Sequence, residues 1–467
     1  MNEIKTSVGV AFAATADVVI IGAGAAGLVA ALAAKAGGAD PVIIERDAVP
    51  AGSTALSAGL IPAAATRFQR QRGIDDTVER FRNDIAAKAH GRSDPAVLEA
   101  ATAAIGPALE WLADFYGLPF EVIADFRYPG HSALRMHALP RRTGTELVDR
   151  LRAAVENAGI VVLTEARATT LFADNDMSVR GVAFARPDGH TERLRCASLV
   201  LACNGYGGNR SLIARYIPDL ADALWFGHSG NEGDAVFWGA ALGCELKHMT
   251  GHQGHGSVAV PHGILITWAT VTEGGFQVNR EGRRFSNEAS GYSEQGAVVM
   301  RQPDHLAWTI FDTRIAAIAR QFEDFRNAET RGAILTAPTI EALAEMAGLP
   351  SHALATTLRE VETAKATATR DAFGRDFACV PGLAAPYAAV KVTGALFHTQ
   401  GGLAVDRTAR VLKSDGSQLP NLFAAGGAAV GLSGPDAAGY LSGNGLLTAV
   451  ALGRIAGQAA ARLAAMR

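Results

Sequence analysis

Three observations predict an α/β fold that carries an inserted α+β domain. The apolar run Asp17–Ile21 (DVVII) passes through Gly22-Ala23-Gly24-Ala25-Ala26-Gly27 into the helix formers Ala25–Lys35, so strand, turn and helix follow directly. A second apolar run, Pro41–Glu45 (PVIIE), has the composition of a buried parallel neighbour. From about Thr250 the pattern gives way to scattered His, Trp and Gly, and short strands with Gly-rich turns return after Pro386.

The other elements follow in chain order. Gly144–Ala158 is an amphipathic helix with Leu147, Leu151 and Val155 at i, i+4 and i+8, and Ile160–Thr164 is the next strand. Val182–Ala185 and Ser198–Ala202 read as strands returning to the first sheet. Helices are expected near Arg314–Arg326 and Thr339–Ala347 in the insert, and Gly445–Ala464 closes the chain. The expected division is a first domain in two parts, 1–247 and 391–467, with a capping insert at 248–390.

Composition narrows the function. The chain has 467 residues, 49% hydrophobic and 19% charged, which excludes intrinsic disorder. With 43 basic and 46 acidic side chains its net charge is −3, so neither nucleic acid nor an anionic membrane is the expected partner, and a small molecule is. Cys196, Cys203, Cys244 and Cys379 lie far apart and form no disulfide framework or haem attachment signature. The His248, His252 and His255 cluster lacks the acidic partner of a zinc site, so no metal is expected. Glycines interrupt the apolar stretch 18–34, which excludes a membrane span there, and the N-terminal pattern is too weak for an export signal. The expectation is a soluble, cytoplasmic protein.

Gly22-x-Gly24-x-x-Gly27 between a strand and a helix permits a tight turn, close approach of a pyrophosphate, and helix N–H groups facing its charge. Glu45 ends the second strand 18 residues after Gly27, where a carboxylate accepts from both ribose hydroxyls and disfavours a 2′-phosphate. The dinucleotide is FAD or NAD, within a Rossmann-like domain.

Both chain ends decide for FAD. Gly52-Ser53-Thr54-Ala55-Leu56-Ser57-Ala58-Gly59 follows the second strand, and Leu422-Phe423-Ala424-Ala425-Gly426-Gly427 precedes the last helix, as in a glutathione-reductase-type FAD domain. With Ala202-Cys203-Asn204-Gly205-Tyr206-Gly207-Gly208-Asn209, Gly233-Asp234, Val278-Asn279-Arg280-Glu281-Gly282, His398-Thr399-Gln400-Gly401-Gly402 and Ser442-Gly443-Asn444-Gly445-Leu446-Leu447, nearly the whole chain resembles one flavoprotein family. That family comprises fumarate reductases, succinate dehydrogenases and 3-ketosteroid dehydrogenases. The resemblance implies a cap over the isoalloxazine and FAD contacts from Gly22, Gly24, Ala26, Gly27, Glu45, Arg46, Gly52, Ser53, Thr54, Ser57, Ala58, Gly59, Ala168, Ala202, Cys203, Asn204, Gly205, Asn209, Asp234, Gly426, Gly443, Asn444, Leu446 and Leu447. Residues 53 to 55 lack the His that attaches FAD covalently in some members, so non-covalent FAD is expected. Gly427 stands where the family usually has Glu.

Within the family, the arginines that bind and protonate dicarboxylates fall on Tyr292 and Tyr440, and the Glu and Arg of the proton path fall on Trp268 and Val271. Fumarate loses its main anchors. The two tyrosines match the 3-ketosteroid dehydrogenases, which implies that Tyr440, supported by Ser442, polarises a ketone while Tyr292 removes the α-proton. A phenol of ordinary pKa near ~10 needs help as a base, and Tyr128 or a water is the candidate relay. The β-hydrogen would leave as hydride to flavin N5. His252, Thr267 and His398 match carboxylate-binding positions of the reductases, and Trp268 adjoins them, so a cyclic ketone bearing a carboxylate, such as an oxocyclohexanecarboxylate, would use both halves. The alternatives are a reductase of an unsaturated acid or enone and a flavin-binding protein without catalysis. The electron acceptor, whether oxygen, quinone or carrier protein, is open.

Overall fold

The computed structural model describes residues 3–124, 127–378 and 380–466, so Cys379 lies outside the described residues. The chain divides into two units. One contains residues through Leu212, Gly227–His252 and everything from His398, and the other contains Ile213–Phe226 and Gln253–Phe397.

The first unit is built on parallel strands. Thr191–Leu201 pairs in parallel with Ala14–Ile21, which pairs with Pro41–Ile44, which pairs with Val161–Leu163. Gln418–Ala424 joins the carboxyl half of Thr191–Leu201 in parallel, while its amino half pairs antiparallel with Val179–Ala185. These central strands are continuous apolar runs because both faces are covered, and Val18, Val19, Ile20, Leu199 and Val200 are fully buried. Small residues bring the first and last helices, Ala25–Ala36 and Asn444–Ala465, together. A Cβ on Gly457 would stand 2.1 Å from the Ala30 carbonyl oxygen, and one on Gly453 would stand 2.6 Å from that of Ala26. The helix Pro95–Tyr116 is long and apolar enough to cross a membrane, but half of that stretch is buried inside the protein, as in a core helix.

One buried ion cluster fixes a loop that matters below. Arg135 is fully buried between Asp76, at 2.9 Å, and Asp84, and its guanidinium lies 4.6 Å from the Phe81 ring centre. Asp84 also accepts from the N–H and hydroxyl of Ser132, both at 2.8 Å. These bonds and the cation hold its carboxyl below the usual range against the opposing effect of burial, the largest single influence on it. Arg135→Met should therefore lose about 3–5 kcal/mol in urea denaturation, the cost of leaving buried carboxylates without their cation.

The second unit folds around a seven-stranded sheet whose longest member, Tyr387–Thr399, pairs with Leu306–Asp312 on one side and lies beside His252–Ala259 on the other. Its apolar core includes Phe276, Ile310, Phe311, Phe325 and Leu343.

Several expectations need correction. The boundaries at 248 and 390 fall instead at 253 and 397, and the second unit also takes Ile213–Phe226, because Leu224–Trp225 pairs with Ala395–Leu396. The helix expected at 314–326 is two helices, Thr313–Ala319 and Glu323–Thr330. After Pro386 a strand of 13 residues, Tyr387–Thr399, precedes the expected short ones, Gly402–Leu403, Arg410–Leu412 and Gln418–Ala424.

Candidate active site

The carboxyl ends of the parallel strands gather the Gly-rich turns. Gly22 N–H donates to Ile44 O (2.8 Å), Ala202 N–H to Ile21 O (2.9 Å), and Ala425 N–H to Leu201 O (3.0 Å). Ligands of open α/β sheets bind in this crevice. Gly22 adopts φ +107°, and a Cβ there would meet Ala202 O at 2.5 Å, so only glycine fits. Gly24 caps the first helix, whose Ala25 N–H bonds to Thr54 Oγ1 at 3.0 Å.

Glu45 is buried with Oε2 accepting from Ala23 N–H (2.7 Å) and Oε1 from Asp47 N–H (2.9 Å), and burial raises its pKa despite both bonds. Its carboxylate thus ties the glycine turn to the second strand. Asn444, at the start of the last helix, is wholly buried and donates to Ser433 Oγ, while its Oδ1 has no protein partner. A glycine cradle at strand ends, a carboxylate beside it and an unspent buried oxygen fit FAD.

Other expected cofactor residues engage a segment that sequence reasoning missed, 228–232. Arg46 donates to Gly230 O (2.9 Å), Asn231 donates to Ser53 Oγ (2.9 Å), and Asn209 donates to Glu232 O (3.0 Å). His228 Nε2 lies 2.9 Å from Asp47, beside Glu45. Ser57 bonds within its own turn, to Thr54 O, and Gly52 and Gly59 have positive φ. Ala168, Ala202, Thr54 and Leu447 are buried, Cys203 and Leu446 are half-buried, and Ala58 is exposed. Asn204 has φ +64° with its Oδ1 accepting from Gly205 N–H, and burial, the dominant influence, raises the Cys203 thiol. Asp234 begins the helix Asp234–Ala241, Gly426 has φ +61°, and Gly443 caps the last helix. The cradle predicts a yellow protein that releases FAD, with no FMN, on acid denaturation; flavin retained on the precipitated chain would overturn the non-covalent assignment.

Beside the last helix, Tyr440 is buried, which pushes its pKa up to about 12 while the N–H groups of Gly445 and Gly443 act in the opposite direction. It remains a phenol, and so a donor, at neutral pH. His398 is half-buried, and desolvation lowers its pKa to about 4, so it is neutral at pH 7. A Cβ on Gly445 would lie 3.8 Å from Tyr440 Oη and 3.9 Å from His398 Nε2, so both polar groups border Gly445. Ser442 is buried and its carbonyl accepts from His131 Nε2 at 3.0 Å; His131 N–H in turn donates to Tyr128 O. The Arg135 cluster, through Ser132, thereby braces the Tyr440–Ser442 segment. Tyr128 is half-buried against Ile123, Met136 and Ala138.

His252 Nδ1 lies 2.9 Å from Thr250 O, so it donates there, and a neutral His252 keeps only a lone pair on Nε2.

In the second unit, four rings from distant segments form a column. Phe226 stacks on Phe397 (4.8 Å), Phe397 on His255 (5.3 Å), and His255 on Tyr292 (5.1 Å), with Trp268 edge-on to His255 at 5.6 Å. Sequence reasoning missed His255 as a partner of Tyr292. Burial lowers its pKa to about 3, and its Nδ1 accepts from Ser257 N–H, so it is a neutral aromatic wall and no cation. The turn that delivers Tyr292 is anchored by Glu288, which takes Arg284 (2.7 Å) and Arg375 (3.2 Å) and accepts from Gln277 N–H. Thr267 is half-buried and its Oγ1 accepts weakly from Ala269 N–H at 3.4 Å. Among the described residues no group of His, Cys, Asp and Glu is arranged to hold a metal.

The model of the FAD binding domain family matches residues 17–446. A probable fumarate reductase of Shewanella frigidimarina is 29% identical over 464 residues, covering 99% of this chain and 77% of that protein. The 4-oxocyclohexanecarboxylate 2-dehydrogenase of Sinomonas cyclohexanicum is 26% identical over 559 residues, covering 96% and 94%. Among solved structures, the open conformation of a flavocytochrome c3 fumarate reductase superposes with a TM-score of 0.83 at 29% identity, over 97% of this chain and 79% of that one. A 3-ketosteroid-Δ4-(5α)-dehydrogenase from Rhodococcus jostii gives 0.78 at 24% identity over 99% and 100%, which shows a shared fold. With the glycine cradle and Glu45 in place, the chain belongs to the FAD binding domain family and is an FAD-dependent oxidoreductase.

Proposed function

We propose that this enzyme acts on the CH–CH bond next to a cyclic ketone, removing the α- and β-hydrogens to give an enone. The observation that carries this reading is that the Tyr440 hydroxyl, a phenol at neutral pH, and the neutral His398 ring both border Gly445; His398 is proposed as the second donor. Two donors on one carbonyl oxygen stabilise the enolate that forms as the α-proton leaves. Tyr292 is the proposed base, with Tyr128 as its relay, and Ser442 supports the same carbonyl. FAD, when bound, supplies the two-electron acceptor for the β-hydrogen. The second unit supplies a wall of Trp268, Tyr292 and His255 that suits an apolar ring.

The 26% identity to a 4-oxocyclohexanecarboxylate dehydrogenase supports a monocyclic substrate with a carboxylate, and the shared fold leaves a 3-ketosteroid in the comparison set. The similarity to a probable fumarate reductase favours a second reading, an unsaturated-acid reductase, but tyrosine stands where the family's reductases carry arginine. Anaerobic mixing of the oxidised enzyme with 4-oxocyclohexanecarboxylate, its amide, cyclohexanone and a 3-ketosteroid tests this. Bleaching by a ketone is expected. No bleaching, together with fumarate-driven oxidation of the reduced enzyme, would give the reaction to the second reading.

Placing His398 at the ketone end has its own consequence. His398→Ala should cost about tenfold in kcat/KM, one hydrogen bond's worth, and equally for acid and amide. A loss confined to the acid would move His398 to the carboxylate.

A further inference from the structure

We propose that Gln400 is a positioning residue that sets the tautomer of His398, so that the histidine offers an N–H rather than a lone pair to the substrate oxygen. A chain of hydrogen bonds, buried as far as Gln400, leads to it. Asn444 Nδ2 donates to Ser433 Oγ (3.3 Å), Ser433 donates to Gln400 Oε1 (2.8 Å), and Gln400 Nε2 donates to His398 Nδ1 (2.9 Å). Gln400, Ser433 and Asn444 are 2%, 1% and 0% exposed, so bulk water does not compete for the two bonds among them, and Gln400 reaches His398 from the buried side.

The backbone aims the Gln400 side chain. Its N–H donates to Gly251 O and its carbonyl accepts from Gly431 N–H, both at 2.8 Å. A Cβ on Gly431 would stand 2.5 Å from Oε1, so glycine opposite leaves room for the amide.

Direction matters, because turning both amides end for end would put the proton on Nδ1. Asn444 decides between the two arrangements. As described, only its Oδ1 lacks a protein partner. Reversed, Oδ1 would accept from Ser433 and the two N–H bonds of Nδ2 would be the ones left over. Buried donors without partners are rarer than under-used carbonyl oxygens, which favours the arrangement described. A neutral imidazole has one N–H, so accepting at Nδ1 places the hydrogen on Nε2, the atom facing Gly445 and Tyr440. Two donors then converge on one acceptor oxygen. With the opposite tautomer, Nε2 would offer a lone pair and no hydrogen to a substrate oxygen.

The kinetic consequence rests on the proposed function, whereas the tautomer does not. Holoprotein carrying 15N-histidine is examined by long-range 15N–1H correlation at pH 7, with His398→Ala identifying the signals of His398. The Nε2–H tautomer is expected in the wild type. Gln400→Glu, a pure acceptor as the carboxylate, should move hydrogen onto Nδ1, and Gln400→Met should leave a mixture and lower kcat/KM for a bleaching ketone by about tenfold. An Nδ1–H tautomer in the wild type would overturn the proposal even if neither variant folded. So would Glu and Met variants that fold and keep the wild-type tautomer. A tautomer that shifts as expected in an enzyme that no ketone bleaches would uphold the role of Gln400 and sink the ketone reading alone.

Discussion

Tyr292→Phe should retain FAD and fold yet slow ketone-driven flavin reduction by about 10²–10⁴, the contribution of a positioned acid or base. Losing one oxygen leaves the ring, so its stacking on His255 at 5.1 Å and its edge contact with Trp268 at 6.4 Å persist. The turn before it also persists, since Glu288 and its two arginines are untouched. Anaerobic stopped-flow absorbance of the flavin band reads the rate, and the visible spectrum of the resting enzyme reports the retained cofactor. A wild-type rate would remove Tyr292 from the chemistry and leave it as one ring of the column.

Tyr440→Phe should slow the same step by roughly 10²–10³, the range for one lost oxyanion donor. Here the mechanism is different. Burial holds Tyr440 protonated up to about pH 12, so its proposed role is to donate, and the variant should show the loss evenly across the neutral range. His398 remains beside Gly445 as the second donor, which is why the expected loss falls short of abolition. If Tyr440→Phe bleached at the wild-type rate, polarisation of the ketone would pass to His398 and Ser442.

The nucleotide half of the site was legible because its signal is local. Strand, Gly22-x-Gly24-x-x-Gly27 turn and helix are consecutive, and Glu45 follows at the end of the next strand, where the structure places it within 2.7 Å of Ala23 N–H. The amphipathic helix at Gly144–Asn157 and the last helix were visible for the same reason. What escaped depends on residues far apart in sequence. Ile213–Phe226 joins the second unit through two residues paired with Ala395 and Leu396, a partnership no local pattern announces. The ring column draws on 226, 255, 292 and 397, and the bracing segment 228–232 touches residues 46, 53 and 209.

Tyr387–Thr399 runs unbroken through Thr393 and Gly394 because strand pairing on both sides keeps the whole run extended, a length that local pattern does not announce. That one strand also explains why adjacent residues serve different units. Side chains alternate along it, so Phe397 enters the ring column and His398 turns to Gln400 and Gly445. His252, read as a carboxylate anchor, spends its Nδ1 hydrogen on Thr250 O, a detail of geometry that residue type alone does not carry.

The central claim is that a held carbonyl makes the neighbouring C–H acidic before any electron leaves. The most direct measurement is exchange of the ketone's α-hydrogen with deuterated solvent, followed by mass spectrometry, in oxidised enzyme kept anaerobic after its flavin has come to equilibrium with substrate. Wild-type enzyme should incorporate deuterium at the α-carbon, and Tyr292→Phe and Tyr440→Phe should both lose that exchange. A ketone that bleaches the flavin while both variants exchange its α-hydrogen at the wild-type rate would contradict the account.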